Sequence, residues 1–366
     1  MVPNDVITSP LQDYFVSLGF NVDQTNGKKI IKYFSSPELE INSLYNGVGL
    51  VDLSANGILE LRGKDVLDFL NRITTNSIKD LPKEEIVKTI FTTEKGRIID
   101  TATILNFDDY QILVCSGVNK MKIKNWIEKY IISDDVKVSD VPSKYILFQL
   151  TGPQADSFIT LIGGNYVNNV QTNKFKVINS EDMMFFAAKF IDEKGNPMYW
   201  VLADNQNGLN LISYLHSNIS LFDFNFIGEE AWNSYRIEQG IPAAPFEIND
   251  QHNPHEVNLL DRVSFTKGCY IGQEVIARLD TYDKVQKQLF GIIFPEPVEN
   301  NEQFLLYDDK DEEVGTVTSA AFSYKYKKYM GLGVIRKAYL GDGVQLIARN
   351  ASKSMTVSLQ SLPFKK

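Results

Sequence analysis

The chain has 366 residues, with 46 acidic against 37 basic side chains and a net charge of −9, so a general surface for polyanions such as nucleic acid is excluded. Hydrophobic residues make up 43% and aromatics 11%, the composition of a folded globular protein long enough for two or three domains. Its two cysteines, Cys115 and Cys269, fit neither a metal-binding spacing nor a disulfide framework. With no Lys or Arg before Lys28 and no apolar run of membrane length, the expected location is the cytoplasm.

Residues 11–18 and 39–45 carry helical spacing, and 47–53 reads as a strand or the entry to one. A strand, a glycine and an amphipathic helix follow at 58–70. The same arrangement returns at 147–159, where Leu150, Gly152 and Phe158 answer Leu61, Gly63 and Phe69. The echo continues. Strand-like residues 110–114 match 198–202, and the helical segment 119–131 matches 207–219, with Ile123, Trp126 and Ile127 answered by Leu211, Tyr214 and Leu215. This predicts two related α+β units of the split β-α-β kind. Residues 222–227 then read as a strand and 231–239 as a helix, stopped by Gly240 and Pro242. A polar crossing segment, 245–254, leads onward. From 285 the pattern changes to six short alternating strands at 287–294, 303–307, 314–319, 329–336, 344–348 and 355–359, which predict a small antiparallel barrel. The expected domains are therefore 1–50 with 143–250, then 51–142, a crossing segment 251–284, and a barrel 285–366.

The most distinctive stretch is Val263-Ser264-Phe265-Thr266-Lys267-Gly268-Cys269-Tyr270-Ile271-Gly272-Gln273-Glu274-Val275-Ile276-Ala277-Arg278. Alternation over 263–265 predicts a short half-buried strand, and the two glycines a tight turn. Helical spacing starts at Gln273. Cys269 thus lies just ahead of a helix N-terminus and two residues after Lys267, a setting that lowers a thiol pKa. The plainer alternative is a buried, inert cysteine.

Lys267-Gly268-Cys269-Tyr270-Ile271-Gly272-Gln273-Glu274 resembles the K-G-C-[YF]-x-G-Q-E signature of the YgfZ family of folate-binding proteins, related in fold to the glycine cleavage T-protein. The resemblance covers nearly the whole chain. Leu59-Glu60-Leu61-Arg62-Gly63, Glu94-Lys95-Gly96-Arg97-Ile98-Ile99-Asp100, Tyr235-Arg236-Ile237-Glu238-Gln239-Gly240-Ile241-Pro242 and Gly315-Thr316-Val317-Thr318-Ser319 are similar to further blocks of that family. It implies a T-protein-like α+β fold of three domains in a ring, tetrahydrofolate or a derivative in the central channel, and the signature cysteine beside it.

Folate asks for a carboxylate or amide to accept its pterin N–H groups, an aromatic face, and a cation for its glutamate tail. The resemblance places Asp100 where aminomethyltransferases keep an aspartate near the reactive nitrogen, and Trp232 against the folate. A solvated strand-end Asp and a core Trp are the plainer alternatives. Glu256, Lys267, Gln273, Glu274 and Arg278 are further candidates to line the channel, and Arg236 either joins them or pairs with neighbours. Cys269 and Lys267 are the candidates for chemistry. His252-Asn253-Pro254-His255-Glu256 is rejected as a metal site, because proline forbids the helix that would align both imidazoles. Cys115 is expected in the core.

The first functional expectation is a folate-binding accessory protein acting in iron–sulfur cluster assembly or repair, and so in tRNA thiomethylation. Its partners would be iron–sulfur enzymes or cluster-assembly proteins, with no nucleic acid or membrane bound directly. The second is a folate-dependent aminomethyltransferase. Against it stand Lys189-Phe190-Ile191-Asp192-Glu193-Lys194 in place of the T-G-Y-T-G-E block, and Trp232-Asn233 in place of Arg-Asp. A third is an interaction scaffold with a decayed pocket, suggested by Asn56 near the place of a family aromatic.

Overall fold

The computed structural model describes residues 7–25, 28–141, 144–180, 183–192, 195–217, 222–282, 284–299 and 302–365. Contacts divide the chain into two compact units. One holds residues 1–70, 78–88 and 102–232, the other 71–77, 89–101 and 233–366.

Two of the sheets are built on one plan. In the first sheet the strand Gly57–Arg62 lies between Gln111–Cys115 and Lys137–Asp140, with Ile98–Asn106 and Ile86–Thr92 beyond Gln111–Cys115. In the second the order is Lys174–Ser180, Met183–Ile191, Pro197–Asp204, Tyr145–Thr151, Val48–Asp52, Phe224–Ile227. Ile86–Thr92, Ile98–Asn106, Gln111–Cys115 and Gly57–Arg62 take the places of Lys174–Ser180, Met183–Ile191, Pro197–Asp204 and Tyr145–Thr151, and the last two of these matches are the strand pairs the sequence echo predicts. The reason is visible at the paired glycines. Gly63 has φ +128° and Gly152 φ +124°, and a Cβ would meet the Asp135 carbonyl oxygen at 1.9 Å or that of Gly47 at 2.5 Å. Only glycine fits either turn. After each turn a helix, Val66–Ile73 or Ala155–Gly163, buries Phe69 or Phe158.

The plans differ in one strand. Val48–Asp52, from the N-terminal region, is inserted between Tyr145–Thr151, to which it is antiparallel, and Phe224–Ile227, to which it is parallel. The preceding helix Pro37–Asn46 starts cleanly: Ser36 Oγ accepts the Leu39 N–H, proline occupies the first turn, and Glu38 and Glu40 favour the positive helix end. The helix expected over 207–219 is Asn205–Ser217; Ile219 lies outside the described residues, as do Glu193 and Lys194.

In the second unit six antiparallel strands close into a barrel in the order Lys287–Phe294, Lys328–Arg336, Glu313–Ser323, Leu305–Tyr307, Gln345–Arg349, Ser354–Gln360. Ile292, Phe304, Leu306, Leu346 and Val357 fill its centre. A register shift between Val317 and Ser319 marks a bulge. Bulges re-aim side chains, and here the Thr318 and Ser319 hydroxyls donate to Glu247 Oε1 at 2.5 and 2.6 Å. Among the described residues no helix is long and apolar enough to cross a membrane.

Candidate functional site

The signature segment lies wholly in the second unit, and its entry corrects the sequence expectation. Residues 263–265 do not form a strand. After the 3-10 turn Leu260–Arg262, Val263 is extended (φ −123°, ψ 125°) and Ser264 N donates to the Thr75 carbonyl at 3.0 Å. Thr75 Oγ1 returns a bond to the Arg262 carbonyl at 2.6 Å. The alternation of Val263 and Phe265 reflects one buried side chain (8% exposed) and one largely open (43%), not a ladder.

The turn that follows is fixed at its far end. Gly272 has φ +85°, and a Cβ there would lie 2.5 Å from the Thr93 carbonyl oxygen. Thr92 Oγ1 donates to the Ile271 carbonyl at 2.7 Å, and Ile271 N to the Arg72 carbonyl at 3.3 Å. The helix Gln273–Thr281 then starts and seals Ile276 completely. Between these fixed points Tyr270 is buried and Cys269 is exposed, so the buried, inert alternative for this cysteine does not hold. Cys115 is the buried one, lying where a Cβ on Gly57 would approach its Sγ to 2.7 Å.

Lys267 is drawn inward. Its Nζ donates to the carbonyl oxygens of Asn71 at 2.5 Å, Thr74 at 2.8 Å and Asn76 at 2.5 Å. Burial pushes the ammonium down to about 7. Three carbonyl acceptors act against that, because only the protonated amine has three N–H groups to give them. With its donors committed, this ammonium holds the turn to residues 71–76 and is not poised to hand a proton to the neighbouring thiol.

Asp100, on the strand Ile98–Asn106, is fully buried, which rules out a solvated strand-end role. Its Oδ1 accepts the Thr101 N–H at 2.9 Å. Arg262, which no local sequence pattern singles out, interacts with it electrostatically. Burial pushes the Arg262 guanidinium down while the Asp261 and Asp100 carboxylates push it up. An arginine retaining 21% side-chain exposure stays a cation at any working pH. Its Nε is sealed from solvent with no hydrogen-bond partner, 4.0 Å from Asp261 Oδ2. A buried carboxylate beside a cation with an unused buried N–H offers an acceptor for a heterocycle's N–H and a donor for a carbonyl or carboxylate. That donor set fits a reduced pterin.

The other candidates divide. Arg236 pairs with its neighbours: Nε bonds Asn233 Oδ1 at 2.8 Å, one terminal nitrogen Glu247 Oε2 at 3.2 Å, the other Ser319 Oγ at 2.8 Å. It is 4% exposed and tied into the bulge network, so of the two alternatives read from the sequence the structure shows the pairing with neighbours. Glu256 is likewise engaged, accepting from Arg97 at 3.2 Å and from Asn253 N at 2.9 Å. His255 Nε2 is 3.0 Å from the Ile276 carbonyl. Gln273 is half-buried, Glu274 and Arg278 are exposed, and Trp232 is half-buried on the helix Glu229–Gln239. Glu247, Thr318 and Ser319 complete the network around Arg236. The G-x-V-T-S resemblance touches the last two, and nothing in the sequence ties them to Glu247.

Three comparisons bear on this arrangement. A putative chloroplastic transferase of Arabidopsis thaliana is 27% identical over 341 residues, covering 91% of this chain and 76% of the relative. An aminomethyltransferase of Oceanobacillus iheyensis is 24% identical, covering 98% of both chains. The crystal structure of the glycine cleavage system aminomethyltransferase T from Bartonella henselae superposes with a TM-score of 0.84 at 18% identity over 98% of each chain, a likeness of fold. These relatives are named as transferases, so they do not single out the YgfZ branch. Residues 11–267 match the GCVT N-terminal domain and residues 287–366 the glycine cleavage T-protein C-terminal barrel domain; the chain belongs to the T-protein family.

Proposed function

We propose that this protein binds a tetrahydrofolate and serves, as YgfZ-like proteins are implied to do, in the assembly or repair of iron–sulfur clusters in a reducing compartment, the cytoplasm. Proteins of the family use tetrahydrofolate, which when bound supplies one-carbon chemistry. Asp100 and Arg262 are the groups we assign to hold its polar edge. The observation that carries the accessory reading is the exposed Cys269, held at the head of a turn fixed by Lys267 on one side and Gly272 on the other. An exposed thiol there can engage a sulfur, iron or thiol partner.

Aminomethyl transfer is the second reading. The names of the relatives and the buried carboxylate of Asp100 favour it, while the missing T-G-Y-T-G-E block and the Trp232-Asn233 pair count against it. One experiment separates the two. Wild type and Cys269→Ala are titrated with tetrahydrofolate by calorimetry, tested for support of cluster-enzyme activity in cells, and assayed for ammonia release from an aminomethylated carrier protein. The accessory reading expects both proteins to bind folate, Cys269→Ala alone to fail in cells, and neither to release ammonia. Robust ammonia release, or full cellular support by Cys269→Ala, overturns it.

A further inference from the structure

The strand echo sets Gln149 and Thr151 where the first sheet has Glu60 and Arg62, and the two places are built differently. In the second sheet both side chains are buried, and Gln149 Oε1 accepts the Trp200 Nε1–H at 2.9 Å. The plan folds there without a charge. In the first sheet Glu60 is buried but gathers cations: its Oε1 accepts from Arg62 Nε and its Oε2 from Lys144 Nζ, each at 2.6 Å. Burial pushes the Glu60 carboxyl up, but the bonds from Lys144 and Arg62 outweigh it and hold the group below its ordinary value, so it is ionised at neutral pH. The Arg62 guanidinium also lies over the Tyr110 ring, 4.7 Å from its centre, and Tyr110 stacks parallel on Phe107 with ring centres 4.8 Å apart. Lys137 completes the group. It is exposed and stands opposite Arg62 in the ladder between Gly57–Arg62 and Lys137–Asp140, which puts both side chains on one face.

Arg62, Lys144 and Lys137 thus surround a single carboxylate, leaving a local excess of positive charge in a chain of net charge −9. Other carboxylates nearby are engaged elsewhere: Asp65 and Asp135 accept main-chain N–H groups of Asp135 and Lys64, and Asp140 pairs with Lys120. The Arg62 side chain is half exposed, and its two terminal nitrogens have no partner among the described residues. Held by a ring on its face and a carboxylate on Nε, the guanidinium presents those nitrogens as a preset fork. Lys144, also half exposed, keeps two N–H groups beyond the one given to Glu60. We propose that Arg62, Lys144 and Lys137 form a binding site for the phosphate group of a small phosphomonoester. The fork takes two phosphate oxygens, and the two ammonium groups take the third and balance the second charge. A carboxylate would use the fork and leave part of the excess charge unmatched. A nucleic-acid backbone fits worse, because each phosphodiester carries one charge and the acidic chain repels polyanions. This site goes beyond the folate reading: its residues belong to the first unit, whereas Asp100 and Arg262 belong to the second.

The test titrates the intact protein with phenyl phosphate by calorimetry at fixed ionic strength, with glutarate as the carboxylate comparison. Wild type is expected to bind phenyl phosphate at one saturable site, and glutarate at least about tenfold more weakly. Arg62→Gln is expected to weaken phenyl phosphate at least about tenfold, and Arg62→Lys, which keeps the charge but not the fork, at least about fivefold. Lys137→Gln is expected to weaken it about threefold. Lys122→Gln, at an exposed lysine on the helix Lys120–Tyr130, is expected to leave it within about 1.5-fold of wild type. Below about pH 6, where a phosphomonoester carries one charge rather than two, wild-type affinity is expected to fall at least about threefold. No saturable binding, an Arg62→Gln affinity equal to wild type, equal losses in Arg62→Gln and Lys122→Gln, or glutarate binding as tightly as phenyl phosphate overturns the proposal. Should Arg62→Gln fail to fold, Lys137→Gln decides, and wild-type affinity in that variant overturns it. The titration requires neither folate nor the Cys269 thiol, so failure of the functional reading would be seen separately.

Discussion

Arg236 and Lys267 are both withdrawn from solvent in the same unit, but different chemistry receives them. Arg236 meets a carboxylate, Glu247, together with a hydroxyl from the barrel bulge and an amide oxygen from its own helix. Lys267 meets neutral main-chain oxygens. In the first case charge is cancelled and geometry locked, because a planar guanidinium spreads its donors over fixed directions. In the second, dipoles solvate a charge without cancelling it. The lesson is that the arginine network is architecture, whereas the lysine corner, beside the exposed thiol, carries an uncancelled charge whose proton burial makes easier to lose.

The sharpest way to break this comparison is to remove the arginine. Arg236→Leu leaves the Glu247 carboxylate buried without its cation and is expected to cost about 3–5 kcal/mol in denaturant unfolding. A loss below about 1 kcal/mol would mean that the hydroxyls of Thr318 and Ser319 suffice to hold that carboxylate. Next in size is Gly272→Ala, which forces a side chain into a left-handed position and against the Thr93 carbonyl. About 1–3 kcal/mol of destabilisation is expected by the same measurement. The smallest effect is one of pH. Burial draws Lys267 down to about 7, below its unfolded value, so between that pH and the unfolded pKa the unfolded chain binds more protons than the native state. Wild type is therefore expected to gain stability relative to Lys267→Met as pH rises through and above 7. Absence of any gain would show that the three carbonyls hold the proton as well as water does.

The parts of the fold legible in the sequence were those specified locally. Barrel strands expected at 287–294 and 329–336 are found at Lys287–Phe294 and Lys328–Arg336, because each alternates on its own and ends at turn residues. The echo of Gly63 in Gly152 was legible because both turns demand glycine. What could not be read was long-range. Ser264 bonds Thr75, Lys267 bonds residues 71–76, and Arg262 faces Asp100, all partners far away in the chain. A strand period over 263–265 was a fair reading of two apolar residues, overruled because only Ser264 finds a ladder-like partner. Arg236 was half legible: its place in a family-like block was clear, its carboxylate partner was not.

The inserted strand Val48–Asp52 bears on how the chain is made. It leaves the ribosome long before Tyr145–Thr151 or Phe224–Ile227, the two neighbours that complete its hydrogen bonding. Until those arrive it is an edge with both sides open, the kind of surface that invites mispairing with other nascent chains. The sheet can close only after Ile227 emerges, so a chain stopped short of that residue would expose a lasting β edge and be prone to aggregate, whatever the state of its first sheet.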